Sequence, residues 1–415
     1  MKGFFQLISS GRFLDLFSPF LPLADIALPL AECLGRVPVN DDLRAPEDLP
    51  PFSRSTMDGF AVRARDTFGC SESEPALLDI IGEIAMGRPG NELSLRPGTC
   101  AHIWTGGELP ARADGVVMVE YTHLLDERTV EIFRPVAPGE NVIRAGEDFS
   151  SGNPIMPARR MLRPQDLGVL AGLGITELKV YKRPRVGIIS TGDELVEPDQ
   201  PLASGKIRDI NSTTLAALVT EAGAVPTCYG IFPDNLEIML AACELALNQN
   251  DILLLSGGSS VGRRDFTLQV LERIEGSELL AHGVAIRPGK PTLLARRGNQ
   301  AIFGLPGHVA SAMVVFYLFV RPLLRLFMGL DADHGLREIQ ARCAEQIPSA
   351  IGREEYVRVR LENQPDQPLP LATPVYGKSG LLRPLVEADG LLVIGRDVEG
   401  QDRGSEAQVL CFPEQ

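Results

Sequence analysis

Apolar positions fall into three kinds of stretch along the chain. From about residue 50 to Pro138 they come in short runs broken by Gly and Pro. Strands are predicted over residues 78–84, 100–105, 115–120 and 130–133, which makes this a β-rich insertion. From Arg185 onward, runs too short for a helix and too continuous for a half-exposed strand alternate with longer helical periods. Residues 186–190, 227–232, 252–255 and 301–305 read as buried strands. Helices are predicted after Asn211 or Ser212 as N-cap, after Pro233-Asp234-Asn235, over residues 266–274, and through the apolar run 310–320. Two further strands flank Pro288-Gly289-Lys290-Pro291. The pattern defines a multidomain α/β protein with a doubly wound, mostly parallel sheet. Beyond Asp331, strands over residues 356–361, 369–375, 391–395 and 407–412 predict a small C-terminal β domain.

The remaining segments connect these parts. Residues 1–20 read as an amphipathic helix packed on the body. Residues 26–38 read as a helix followed by a strand, and residues 163–173 as a helix with Pro164 in its first turn. The polar stretch 40–51 carries Pro46, Pro50 and Pro51 and marks a boundary. The expected division is residues 1–25 with 178–330 for the α/β part, 26–44 with 139–177 for a linking part, 45–138 for the insertion and 331–415 for the C-terminal part.

Composition narrows the classes. The 415 residues are 44% hydrophobic and 23% charged, as in a soluble globular protein. A net charge of -14 argues against nucleic acid as a partner. Seven scattered cysteines without a Cys-x-x-Cys pair favour a reduced, cytoplasmic setting. The five histidines lack metal-ligand spacing. The run 310–320 is short for a bilayer span and suits a buried helix, so no membrane partner is expected.

Candidate chemistry gathers at the carboxyl ends of the parallel strands, where such folds bind ligands. Ser256, Gly257, Gly258, Ser259 and Ser260 follow a strand directly, and Asp265 precedes the next helix. Paired glycines allow close backbone approach, and hydroxyls with free N–H groups suit an anion. The loop is neither a P-loop nor a dinucleotide fingerprint. Glu194, Asp234 and Asp265 could hold a divalent cation or act as acid and base, although each alone could be a helix cap or a solvated charge. Arg287 and Lys290 flank a Pro-Gly turn and suit an oxyanion. No Ser-His-Asp or Cys-His arrangement is legible.

Several of these motifs, in order, resemble the molybdopterin molybdenumtransferases, the family of MoeA and the gephyrin E domain. They are Ser-Thr-Met-Asp-Gly-Phe-Ala at 55–61, Ser-Thr-Gly-Asp-Glu-Leu at 190–195, Ser-Gly-Gly-Ser-Ser-Val-Gly at 256–262 with Asp265, Arg-Pro-Gly-Lys-Pro at 287–291, and Gly-Leu-Pro-Gly at 304–307 with Ser311. The resemblance implies four parts, one like the molybdopterin adenylyltransferases and one a C-terminal β barrel, in a subunit that dimerises. It implies that adenylylated molybdopterin is hydrolysed with Mg2+ and molybdate present, releasing AMP as molybdenum is placed on the pterin. On it, Asp265, Glu194 and Asp234 are the catalytic acids, with Asp265 and Glu194 on the metal. Ser256, Gly257, Gly258, Ser259, Ser260, Pro306 and Gly307 hold the pterin substrate, and Arg287, Lys290, Ser311, Arg358 and Ser379 surround molybdate. Asp58, Thr105 and Asp148 match further cleft residues that would reach the partner subunit's cleft, and an adenylyltransferase would hand over the substrate. The chain departs from the family at His308-Val309, where Asn-Pro is usual, at Gly283, where some members have Lys, and at Ser53, where Asp is frequent. A non-catalytic scaffold or molybdopterin-binding protein on the same fold is the alternative. A lone adenylyltransferase would lack the insertion and the C-terminal domain.

Overall fold

The computed structural model describes residues 7–257, 266–365 and 367–413. Its central sheet has six strands in the order Val225–Phe232, Arg185–Thr191, Ile252–Ser256, Gln300–Leu305, Leu293–Arg297, Glu278–His282. The first four are parallel, and the last two pair antiparallel. Side-chain alternation explains the unbroken apolar runs. Ile252 and Leu254 pack with Phe13, Leu215, Val219 and Phe319 on one face, whereas Leu253 and Leu255 pack with Met239, Cys243, Val270 and Leu271 on the other. Both faces are covered by helices, so the strands need apolar residues at every position. Burying each such side chain contributes about 1.5–3 kcal/mol.

The helix Val309–Phe327 is long and apolar enough to cross a membrane by composition, but its side chains are packed inside the protein. A π-helical stretch, Phe316–Val320, interrupts it just before Pro322. Proline lacks the N–H and crowds the preceding turn, which widens the helix there. The N-terminal helix is only Ser10–Asp15, yet Phe13, Phe17 and Phe20 are all buried, with Phe13 and Phe319 ring centroids 4.3 Å apart.

The expected helix-then-strand order of residues 26–38 is corrected by the structure. Asp25–Pro29 is a strand paired antiparallel with Glu177–Tyr181, and Leu30–Glu32 is a single 3-10 turn. The chain turns away at Gly35, at φ 68°, before a longer helix can form. The helix Pro164–Gly172 packs here through Leu170 and Leu173 against Val180 and Cys33. Two antiparallel runs lead to the insertion and back, with Leu49 opposite Phe149 and Arg54 opposite Ile143. The insertion is a six-stranded sheet ordered Gly115–Met118, Gly59–Val62, Thr99–Ile103, Ala76–Ile84, Thr129–Ile132, Thr122–Leu124.

In the C-terminal region Glu354–Glu362, Leu371–Pro374, Arg337–Cys343, Glu406–Cys411 and Gly390–Ile394 form a closed five-stranded barrel. One strand was assigned differently from sequence. Ile286–Arg287 does not join the α/β sheet but pairs in parallel with Glu354 and Glu355, tying the barrel to the α/β body.

Candidate active site

Two cavities meet at this junction. The larger, about 950 Å³, opens at the carboxyl ends of the parallel strands. Thr191, Glu194, Asp234, Ser256, Gly257, Pro306, Gly307, His308 and Ser311 line it. Gly257 has φ 103°, and a Cβ there would fall 2.2 Å from the Thr191 carbonyl oxygen, so the turn requires glycine. Gly258, Ser259, Ser260 and Asp265 lie outside the described residues.

The expected N-cap role of Asn211 or Ser212 is also corrected. Asp209 accepts from the backbone N–H groups of both residues, at 3.0 and 3.2 Å, and so satisfies the helix start. This frees the Asn211 amide, whose Nδ2 donates to Ser256 Oγ at 2.7 Å and to the Gly307 carbonyl at 2.8 Å. Asn211 is buried and joins two loops on which the cleft is built. Its Oδ1 is buried with no partner among the described residues. Thr191 Oγ1 donates to Asp234 Oδ1 at 2.7 Å, so Asp234 is held rather than loose. Among the described residues, no three His, Cys, Asp or Glu side chains are grouped closely enough to hold a metal ion.

The second cavity, about 470 Å³, lies between the α/β body and the barrel. Arg287, Arg358, Lys378 and Ser379 line it, together with one carboxylate, Glu355. Arg287 Nη1 lies 3.0 Å from Glu355 Oε1, and Ser349 Oγ donates to Glu355 Oε2 at 2.9 Å. Arg358 Nη2 donates to the Gly377 carbonyl at 2.6 Å, while its Nη1 is buried without a partner among the described residues. Burial lowers the Arg358 pKa from its ordinary value. It also pushes the phenol of Tyr376, another lining residue, up to about 12, with its hydrogen bond to Glu345 adding to the shift.

Of the five residues expected around an oxyanion, Arg287, Arg358 and Ser379 share this pocket. Ser311 lines the larger cleft instead, and Lys290 lines neither cavity. Asp58, Thr105 and Asp148 sit on the insertion and its return path and line neither. The backbone N–H and the hydroxyl of Thr105 both donate to Asp58 Oδ1 at 2.7 Å, which holds the Asp58 carboxyl below its ordinary pKa. Sequence reasoning missed Asn211, Glu355, Lys378 and His308 as site residues. Only His308 carried a signal, its departure from Asn-Pro.

A mostly parallel α/β body with a cleft at its strand ends adjoins a barrel that contributes Arg358 and Lys378 to a second pocket. Residues 12–174 match the "MoeA N-terminal region (domain I and II)", residues 187–326 the "Probable molybdopterin binding domain" and residues 340–412 the "MoeA C-terminal region (domain IV)". The molybdopterin molybdenumtransferase of Bacillus subtilis is 33% identical over 90% of this chain and 87% of its own. Molybdopterin molybdenumtransferase 2 of Mycobacterium tuberculosis is 35% identical over 92% of this chain and 94% of its own. A crystal structure of the molybdopterin biosynthesis MoeA protein from Pyrococcus horikoshii superposes with a TM-score of 0.82 at 32% identity, covering 98% of this chain and all of the other. The chain belongs to the molybdopterin molybdenumtransferase (MoeA) family.

Proposed function

We propose that this protein acts in molybdenum cofactor biosynthesis, inserting molybdenum from molybdate into adenylylated molybdopterin with release of AMP. The observation that carries the reading is the adjacency of a large polar cleft and a small cationic pocket, joined by the His308–Ser379 contact at 2.9 Å. In this reading the pterin and its phosphates take the cleft, against Ser256, Gly257, Pro306 and Gly307, with Gly258, Ser259 and Ser260 completing the loop. Molybdate takes the pocket, where Arg287, Arg358 and Ser379 donate to its oxygens. Ser311 faces the cleft side, and Lys290 adds charge nearby. Relatives named as transferases favour catalysis over a scaffold role.

Glu194 and Asp234 offer the hard oxygen donors that Mg2+ prefers. Two carboxylates are an incomplete set, so Asp265 and substrate phosphate oxygens would supply the rest. The ion would neutralise phosphate charge during hydrolysis. Glu194 and Asp234 would place such an ion against the phosphate end of the substrate, and Asp265 is assigned the acid–base step. The four-part division at residues 25/26, 44/45, 138/139, 177/178 and 330/331 is retained as a proposal. So are a cytoplasmic homodimer, in which Asp58, Thr105 and Asp148 serve the partner subunit's cleft, and substrate handover from an adenylyltransferase.

The test is incubation of the protein with adenylylated molybdopterin, Mg2+ and molybdate. AMP release that depends on both ions, and that Asp265→Asn abolishes while leaving pterin binding within a few-fold, supports the reading. No AMP from the wild-type protein refutes it.

A further inference from the structure

The cationic pocket contains a carboxylate, which an anion site does not need for binding. Glu355 is buried, and its carboxylate is held by two partners. It faces Arg287 in strand register, so both side chains leave the same face of the sheet. It pairs with Arg287 at 3.0 Å and accepts from Ser349 at 2.9 Å. The charged side chains around the pocket are Arg287, Arg358, Lys378 and Glu355, which leaves a net charge of +2. Without Glu355 it would be +3.

We propose that Glu355 is a specificity-determining residue that sets the pocket's charge to match a tetrahedral dianion. The inference rests on the reading of this pocket as the oxyanion site. A dianion neutralises the pocket, so it binds well enough to be captured and weakly enough to be passed on. An extra positive charge would hold it too tightly. The Nη1 of Arg358, buried with no partner among the described residues, is the second sign that the pocket is completed by an acceptor. Glu355 acts here through its charge, not by contact with reacting atoms.

The experiment compares molybdate with perrhenate, a tetrahedral monoanion of similar size, by calorimetric titration of the full-length protein. The Glu355→Gln side chain keeps an acceptor for Ser349 and removes only the charge. Coulomb energy scales with ligand charge, so a dianion gains twice the increment of a monoanion. In Glu355→Gln, molybdate should bind about ten-fold more tightly and perrhenate about three-fold, as expected for one charge in a solvent-open pocket. Glu355→Asp, which keeps the charge, should preserve the wild-type ratio of the two affinities. Unchanged or weaker molybdate binding in Glu355→Gln, equal gains for the two anions, or a Glu355→Asp that behaves like Glu355→Gln would overturn the proposal. Wild-type protein that binds no molybdate would remove the oxyanion site itself, and the role of Glu355 with it.

Discussion

His308 Nδ1 and Ser379 Oγ lie 2.9 Å apart, joining the start of the buried helix to a loop of the barrel. His308 lines the larger cleft and Ser379 the smaller pocket, so this contact stands where the two cavities meet. A backbone bond from the Ala310 N–H to the Ser379 carbonyl, at 3.2 Å, holds the same loop. His308→Ala should leave that backbone bond intact and release the hydroxyl. One hydrogen bond is worth about 0.5–1.5 kcal/mol. The molybdate half-saturation of AMP release should therefore rise about three- to ten-fold. His308→Asn, which can still reach Ser379, should fall between the two, and equal values for all three proteins would show that the contact is incidental.

Asp58 is exposed, so its depressed pKa has a local cause. The Thr105 backbone N–H contributes first and the Thr105 hydroxyl second. Thr105→Val removes only the hydroxyl, and the Asp58 carboxyl should then titrate closer to the ordinary value of about 3.9. The sign follows from linkage. A carboxyl with a lowered folded-state pKa contributes stability above its unfolded pKa, and this is lost as pH falls through the folded value. Any effect therefore lies below about pH 4. Carbon-detected NMR titration of Asp58 checks the shift, and an unmoved pKa in Thr105→Val would show that the hydroxyl does not contribute to it.

Much of the α/β body was legible because a strand buried on both faces needs apolar residues throughout, and Ile252, Leu253, Leu254 and Leu255 meet that need. Pairing between distant segments was not legible. Nothing local in Ile286–Arg287 says that its partner is Glu354–Glu355 of the barrel. The Arg337–Cys343 strand was missed because its inward positions are Ile339, Ala341 and Cys343, a faint alternation among charged residues. At the site, the strand-end loops were readable as loops, but which cavity each side chain enters was not. Ser311 and Ser379 are neighbours through the backbone of Ala310 yet line different cavities. Asn211 and Ser212 are both good capping residues, but the side chain that satisfies the helix start is that of Asp209.

Asp166 is the anchor of the helix Pro164–Gly172. It accepts from Arg160 at 2.6 and 2.7 Å and from the Arg163 backbone N–H at 2.8 Å. Arg160 is the main reason that the carboxyl lies well below its usual range. Asp166→Asn should destabilise this part by about 2–3 kcal/mol, because it removes the charge paired with Arg160 and leaves a half-buried guanidinium short of a partner, even though the amide oxygen can still accept from the Arg163 N–H. The contribution is fully present above the unfolded value of about 3.9, declines below it, and is lost as pH falls through the lower folded-state value. Urea unfolding of both proteins at pH 7 and pH 3 measures this, and the gap between them should narrow at the lower pH.

The division of labour between the cavities makes opposite predictions for two residues. Arg358 lines only the cationic pocket, where charge-assisted hydrogen bonds contribute about 1.5–3 kcal/mol each. Arg358→Ala should raise the molybdate half-saturation about ten- to hundred-fold while pterin binding changes by less than about three-fold. Asn211 lines only the larger cleft and fixes Ser256 and Gly307. Asn211→Ala leaves both without that donor, at about 0.5–1.5 kcal/mol for each bond. Affinity for adenylylated molybdopterin should fall about ten-fold, with the molybdate requirement nearly unchanged. Molybdate offers the protein little beyond its charge and its oxygens, so its binding depends on the pocket cations Arg287, Arg358 and Lys378. Raising the salt concentration should therefore shift the molybdate half-saturation of the wild-type protein and leave that of Arg358→Ala less affected. Equal losses of both ligands in either variant would show that the two cavities are one site.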